Sequence, residues 1–185
     1  MVGLTDHPED YQAGIGTPGV AYADLRHNVP DWVFESMAHG DVDAVLVTPH
    51  WGPNMTSHPV PHVRRAAQAM VKGGATLVAG HSAHVFHGVS GNVLYDLGDF
   101  IDDYAMDSHF RNHLGMLILL DLRPDGPVRL EANPLALDYC HTRLAGGKEA
   151  LWVRERFHKA CAELGTEVHT VQDKSVIEWR PDGAI

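Results

Sequence analysis

The sequence has no apolar run long enough to cross a bilayer: the longest, Met116 to Leu120, is the length of a strand. At the first residues, Met1 to Asp6, no basic segment is followed by an apolar core, so no signal peptide is read there. The expected location is cytoplasmic, or membrane-associated or extracytoplasmic if further sequence precedes these residues. Positive charge is scarce: 14 Lys and Arg stand against 24 Asp and Glu, giving a formal net charge of −10, and no basic cluster stands out along the chain. That argues against a nucleic-acid surface and against docking on anionic lipid. Cysteine is nearly absent; Cys140 and Cys161 are the two present, and they are expected to be buried thiols in a reducing compartment rather than a disulfide. There is no internal repeat and no low-complexity segment, so the 185 residues are expected to form a single domain over 1–185.

What the chain has in excess is histidine, 14 in all. Most fall in loops or on polar faces: His7, His27, His39, His58, His62, His109, His113, His141, His158 and His169. Three occupy a more specific pattern. Val42 to Thr48 is a strong buried strand that ends in Pro49-His50-Trp51-Gly52, and Thr76 to Ala79 is a second that ends in Gly80-His81-Ser82-Ala83-His84. Too few polar residues alternate in either for an exposed sheet, so both are expected to be covered on two faces. If the strands are neighbours, His50, His81 and His84 converge at one sheet edge, where α/β proteins commonly place their ligands. Alone, His50 reads as a loop histidine bonded to backbone, and a lone H-x-x-H is weak. Together, after two buried strands, they form part of a metal site.

Around these strands the pattern predicts a short strand at Val2 to Thr5 and a loop over 6–28. A helix from about Pro30 to Ala38 follows, capped by Asn28, and another runs from Pro61 to Lys72 with an apolar stripe through Val63, Ala66, Ala67, Met70 and Val71. Strands follow at Val85 to Val89, Asn92 to Leu97, Met116 to Leu122, Val128 to Ala132 and Leu135 to Cys140. The last helix spans Gly147 to Leu164, with Leu151, Val153 or Phe157, Cys161 and Leu164 on its apolar side. A hairpin of Val168 to Val171 with Val176 to Trp179 ends the chain. This order predicts an α/β fold of mixed sheets flanked by helices.

Three blocks then carry a resemblance: Thr48-Pro49-His50-Trp51-Gly52-Pro53-Asn54-Met55, Gly74 to His84, and Leu94-Tyr95-Asp96-Leu97-Gly98-Asp99-Phe100-Ile101-Asp102-Asp103-Tyr104. In order and at natural spacing, they resemble the CapA family of capsule and poly-γ-glutamate synthesis, within the calcineurin-like metallophosphoesterases. The Thr5 region and Ala162-Glu163-Leu164-Gly165-Thr166 resemble flanking segments of that family. The resemblance implies a partial metallophosphoesterase β-sandwich with divalent ions (manganese, iron or zinc) at the strand ends. It implies His50 and His81 on one metal and His84 on the other, acting on a phosphate ester or an anionic polymer.

The family's Asp-x-His, Gly-Asp and Gly-Asn-His blocks do not precede His50. Asp6-His7 has the wrong spacing and follows the wrong element, and Asp107-Ser108-His109 and Asn112-His113 read as solvated loop residues. The chain is therefore expected to be the C-terminal part of such a domain, completed by an N-terminal half or by self-association. The catalytic residues are unassigned. Asp99 and Asp102 are read either as partners behind a ligating histidine or as turn and helix-start residues. Asn54 is read as a substrate contact and Trp51 as a core or pocket-wall aromatic. Besides an incomplete phosphoesterase, two readings stay open: a non-catalytic subunit of an envelope-polymer machine, and a mononuclear three-histidine zinc hydrolase.

Overall fold

The computed structural model describes residues 1–38, 40–103 and 106–179; His39 and Tyr104 lie outside them. Four short strands pair in parallel from the start of the chain. β1 (Val2–Thr5) lies beside β2 (Leu46–His50), β2 beside β3 (Leu77–Ala79), and β3 beside β5 (Val93–Leu94); β4 (Val89–Ser90) closes the edge antiparallel to β5. α1 (Asp31–Met37) leads into β2 and α2 (Pro61–Lys72) into β3, the crossovers that parallel neighbours require. Both helices bury one stripe on the same core. Val33 and Met37 of α1 and Val63, Ala66, Ala67 and Met70 of α2 cluster with Leu4, Val47, Val78, Trp51 and Tyr95.

The second sheet is antiparallel throughout. It is ordered β6 (Leu114–Arg123), β7 (Gly126–Asp138), β10 (Lys174–Glu178), β9 (His169–Val171), with β8 (His141–Leu144) also paired to β7. A second core joins it to the first sheet. Leu77, Phe86, Val89 and Leu94 meet Leu114, Met116, Leu130, Ala132, Ala136 and Ile177, together with Val153, Phe157 and Cys161 of α3 (Gly147–Ala162). The predicted mixture of sheets and helices is therefore present, as two sheets with three helices.

Several boundaries differ from the sequence reading. Asn28 is not the cap of α1; Pro30 holds that position and no side chain caps the helix. Of the expected strand at Val85 to Val89 only Val89 joins a ladder, as the start of β4; Val85 to Gly88 is irregular, with Val85, Phe86 and His87 buried. The segment is pinned to α3 instead: a Cβ on Gly88 would stand 2.4 Å from the Ala160 carbonyl oxygen, and the Val89 N–H donates to Cys161 Sγ at 3.3 Å. Val128 to Ala132 and Leu135 to Cys140 are one strand, because Pro134 stays in the ladder and its carbonyl accepts from the Ala145 N–H. The apolar face of α3 is Ala150, Val153, Phe157 and Cys161, whereas Leu151 is exposed. Cys161 is buried as expected; Cys140 sits exposed in the turn before β8.

The α3 assignment is testable. Phe157→Ala should destabilise the fold by about 3–5 kcal/mol, and Leu151→Ala by less than about 0.5 kcal/mol. Equal losses in chemical denaturation would mean that the helix presents a different face.

Candidate metal centre

The parallel register aligns the carboxyl ends of three neighbouring strands. Thr5 pairs with His50, and His50 bridges to His81. The ladder continues past the strands: the Asp6 N–H donates to the His50 carbonyl, His81 N–H to Pro49, and Trp51 N–H to His81. Asp6-His7, His50-Trp51 and His81 are thus brought to one edge by backbone pairing alone.

Gly80 makes this alignment feasible. Trp51 Nε1 donates to the Tyr95 carbonyl at 2.9 Å, and a Cβ on Gly80 would fall 2.3 Å from that nitrogen and 2.5 Å from that oxygen. Only a glycine backbone fits beneath the indole. Trp51 is buried core, as one of its two sequence readings has it.

The two imidazoles of His50 and His81 meet at their Nδ1 atoms, 3.2 Å apart. Two nitrogens bound to one tetrahedral zinc stand roughly 3.3 Å apart at ordinary zinc–nitrogen lengths. Burial holds the His50 ring below the usual imidazole range, the neighbouring His7 and His81 add to this, and Asp6 opposes it. Burial likewise lowers His81. Both rings therefore favour the neutral form that ligates metal.

His84 is placed differently. Its Nδ1 lies 2.9 Å from Asp99 Oδ1, an arrangement in which a carboxylate orients an imidazole. Asp99 is raised by burial, against the pull of His84. Ser82 and His84 both have positive φ, 139° and 60°, an uncommon conformation for residues with a side chain and one found at functional sites. Asp96 holds this turn: its carboxylate accepts the Ala83 and Gly98 N–H groups, each at 2.9 Å. Burial pushes Asp96 up to about 7 despite those two donors. Asp102 is farther along; its carbonyl accepts the Cys140 N–H. Asn54 is exposed, with Oδ1 3.5 Å from the Ser82 hydroxyl.

Sequence reasoning passed over Asp6, His7 and His62. His7 packs against His50 with ring centroids 4.8 Å apart, its Nδ1 meets Asp6 Oδ1, and its Nε2 lies 3.3 Å from the Ser82 hydroxyl. Asp6 also accepts the Gly52 N–H at 3.0 Å and lies 3.5 Å from His62 Nε2. These groups line an open cavity of about 650 Å³ with Asn54, Tyr22 and Arg26. Asn112 is not solvated but buried, its Oδ1 accepting the Asp107 N–H. Asp107 does cap a surface turn, accepting from His109 and Phe110. Among the described residues, no three His, Cys, Asp or Glu side chains close into a ready coordination group. The residues present fit two corners of a metal's coordination sphere.

Behind the site, His87 is buried, donating Nε2 to the Thr56 carbonyl at 2.8 Å, and burial lowers it to about 4. A base held below its unfolded value of about 6.5 stabilises the fold fully above that pH and loses the contribution as pH falls toward 4. Asp96 runs the other way: raised to about 7, it contributes below about pH 4 and loses the contribution as pH rises to 7. The two contributions offset each other between pH 7 and 4, so on acidification over that range thermal stability should rise relative to the parent in His87→Gln and fall relative to it in Asp96→Asn. Curves parallel to the parent's would remove these residues from the pH dependence.

The same segment carries the likeness to known proteins. The family model for bacterial capsule synthesis protein PGA_cap matches residues 7–104, more than half of the chain and including all three strand-end blocks. The PGA biosynthesis protein CapA of Bacillus subtilis is 32% identical over 139 residues, which is 72% of this chain and 35% of that protein. A probable polyglutamine synthesis accessory protein of Mycobacterium tuberculosis is 27% identical over 183 residues, covering 90% of this chain and 47% of the relative. The capsule biosynthesis protein CapA of Bacillus anthracis is 33% identical over 100 residues, 52% of this chain and 24% of the relative. The chain thus spans less than half the length of each of these relatives. On the match over 7–104, the chain belongs to the bacterial capsule synthesis protein PGA_cap family.

Proposed function

We propose that this chain supplies the histidine side of a divalent-metal centre in a phosphoesterase-type protein of capsule or poly-γ-glutamate synthesis. The observation that carries this is the His50–His81 pair, two neutral imidazoles 3.2 Å apart at adjacent strand ends. The names of the relatives support the polymer context. A bound divalent ion would supply Lewis-acid stabilisation of a phosphate ester and an activated water.

The chain's own residues do the rest. His50 and His81 meet Nδ1 to Nδ1 across a hydrogen bond, and a bound ion would take the place of the shared proton. Asp99 fixes the ring of His84 beside them. Asp6, braced by the Gly52 N–H, orients His7 against His50 and holds a negative charge next to the imidazoles. Asn54 and His62 face the open cavity, where an anionic ester or polymer would enter.

Neutral imidazoles alone offset little of the charge of two divalent ions. The proposal therefore includes a further carboxylate-bearing wall, from an N-terminal half or from a second copy. The second sheet has a surface for such a partner. β6 is its edge strand, ten residues long, and Leu117 and Leu119 are exposed on it; long apolar edges favour strand addition.

Metal titration of the purified chain with zinc or manganese should give one weakly bound ion. His50→Ala and His81→Ala should each abolish binding, and turnover of a phosphodiester should be low. No binding at all would sink the metal reading. Two tight ions with rapid turnover would remove the need for a second wall. The lack of a closed three-ligand group among the described residues favours one rival, a non-catalytic subunit. That rival predicts unchanged polymer synthesis in a strain carrying the His50→Ala variant.

A further inference from the structure

We propose that a groove between α3 and the loops at 57–58 and 109–110 binds an oxyanion of an acidic ligand, a carboxylate or a phosphoryl group, on Arg156 and Lys159. The groove encloses about 240 Å³, and Ser57, His58, His109 and Glu163 also line it. In a chain of net charge −10 with no basic run in its sequence, Arg156 and Lys159 of α3 face this groove together, closed by residues of two other segments.

Arg156 is the anchor. Its guanidinium lies over the Phe86 ring at 5.1 Å and the Trp152 ring at 5.5 Å. Its Nε is buried without a hydrogen-bond partner among the described residues. Among the described residues, Nη2 reaches only the Phe86 carbonyl, at 3.5 Å, the outer limit of a hydrogen bond. No carboxylate stands at ion-pair distance from it among the described residues. Glu163, the acidic residue of the groove, is instead held by His58 at 2.9 Å and by Lys159 at 4.0 Å. Burial lowers the affinity of Arg156 for its proton, and the Glu163 carboxylate, beyond ion-pair distance, opposes this only in part, so the desolvated cation is incompletely compensated. An anion in the groove would answer the charge of Arg156. The aromatic faces hold the Arg156 plane in place beforehand, so little side-chain freedom is lost on binding.

The groove contains none of the groups of the histidine edge, so this inference stands whether or not His50 and His81 hold a metal. The test uses the full chain in a chelating buffer, titrated with a short glutamate oligomer and, separately, with inorganic phosphate. At least one probe should bind with an affinity that falls as salt rises. Lys159→Ala, a change to an exposed side chain, should weaken binding roughly threefold, and Arg156→Gln roughly tenfold or more. His50→Ala should leave it unchanged. Binding of the oligomer alone assigns a carboxylate, and binding of phosphate alone a phosphoryl group; either supports the site. If Arg156→Gln fails to fold, Lys159→Glu carries the test, because charge reversal at an exposed position should abolish binding without loss of structure. Neither probe binding at millimolar concentration, or binding indifferent to Lys159→Glu, would overturn the proposal.

Discussion

The candidate centre depends on a close approach between the Trp51 indole and the backbone of Gly80. The indole N–H satisfies the Tyr95 carbonyl across a gap that no Cβ can share. With the indole in place, Pro49-His50 and Gly80-His81 continue their parallel pairing beyond the regular strands. The two histidines then take their positions from backbone hydrogen bonds rather than from loop packing. A site set on rigid strand ends is held more closely than one set on loops. Asp96 extends the same rigidity to the turn that carries His84, at the expense of burying a carboxyl group and two uncommon backbone conformations.

Electrostatically the site is divided. Its middle consists of His50 and His81, which burial keeps neutral. On one flank Asp6 binds His7 and the Gly52 amide; on the other Asp99 binds His84. Carboxylates are thus present, each occupied with an imidazole. That placement suits orienting a ring and fixing its tautomer more than bridging ions.

The sequence made the centre of this arrangement legible because it follows a simple rule: a buried apolar run that stops at histidine places that histidine at a sheet edge. The same rule applied to Val2–Thr5 would have delivered Asp6 and His7. They were passed over because their spacing fits none of the family's acidic blocks, and the register that sets Thr5 opposite His50 is a tertiary fact. His62 was hidden for another reason. It sits in the first turn of α2, where local pattern says only that the residue is polar, and its contact with Asp6 spans distant parts of the chain. The groove on α3 is similarly non-local, since its walls come from residues 57–58, 109–110 and 156–163. The fold's outline was readable from periodicity. The merging of two strands into β7 across Pro134 was not, because proline ordinarily marks a break and here the ladder tolerates it.

The shortness of β1 has a consequence for the motions of the site. Four residues pair it to β2, and on its other side the segment around Ala21 to Ala23 bonds to Thr5. β2 and β3, by contrast, are enclosed between two cores. Amide exchange should reflect this difference, with the protons of β1 and Asp6 exchanging through local opening and those of Val47 and Val78 only through global unfolding. The Asp6–His7 flank would then act as the hinged side of the cavity, opening on a timescale set by four strand residues while the histidine pair stays in place.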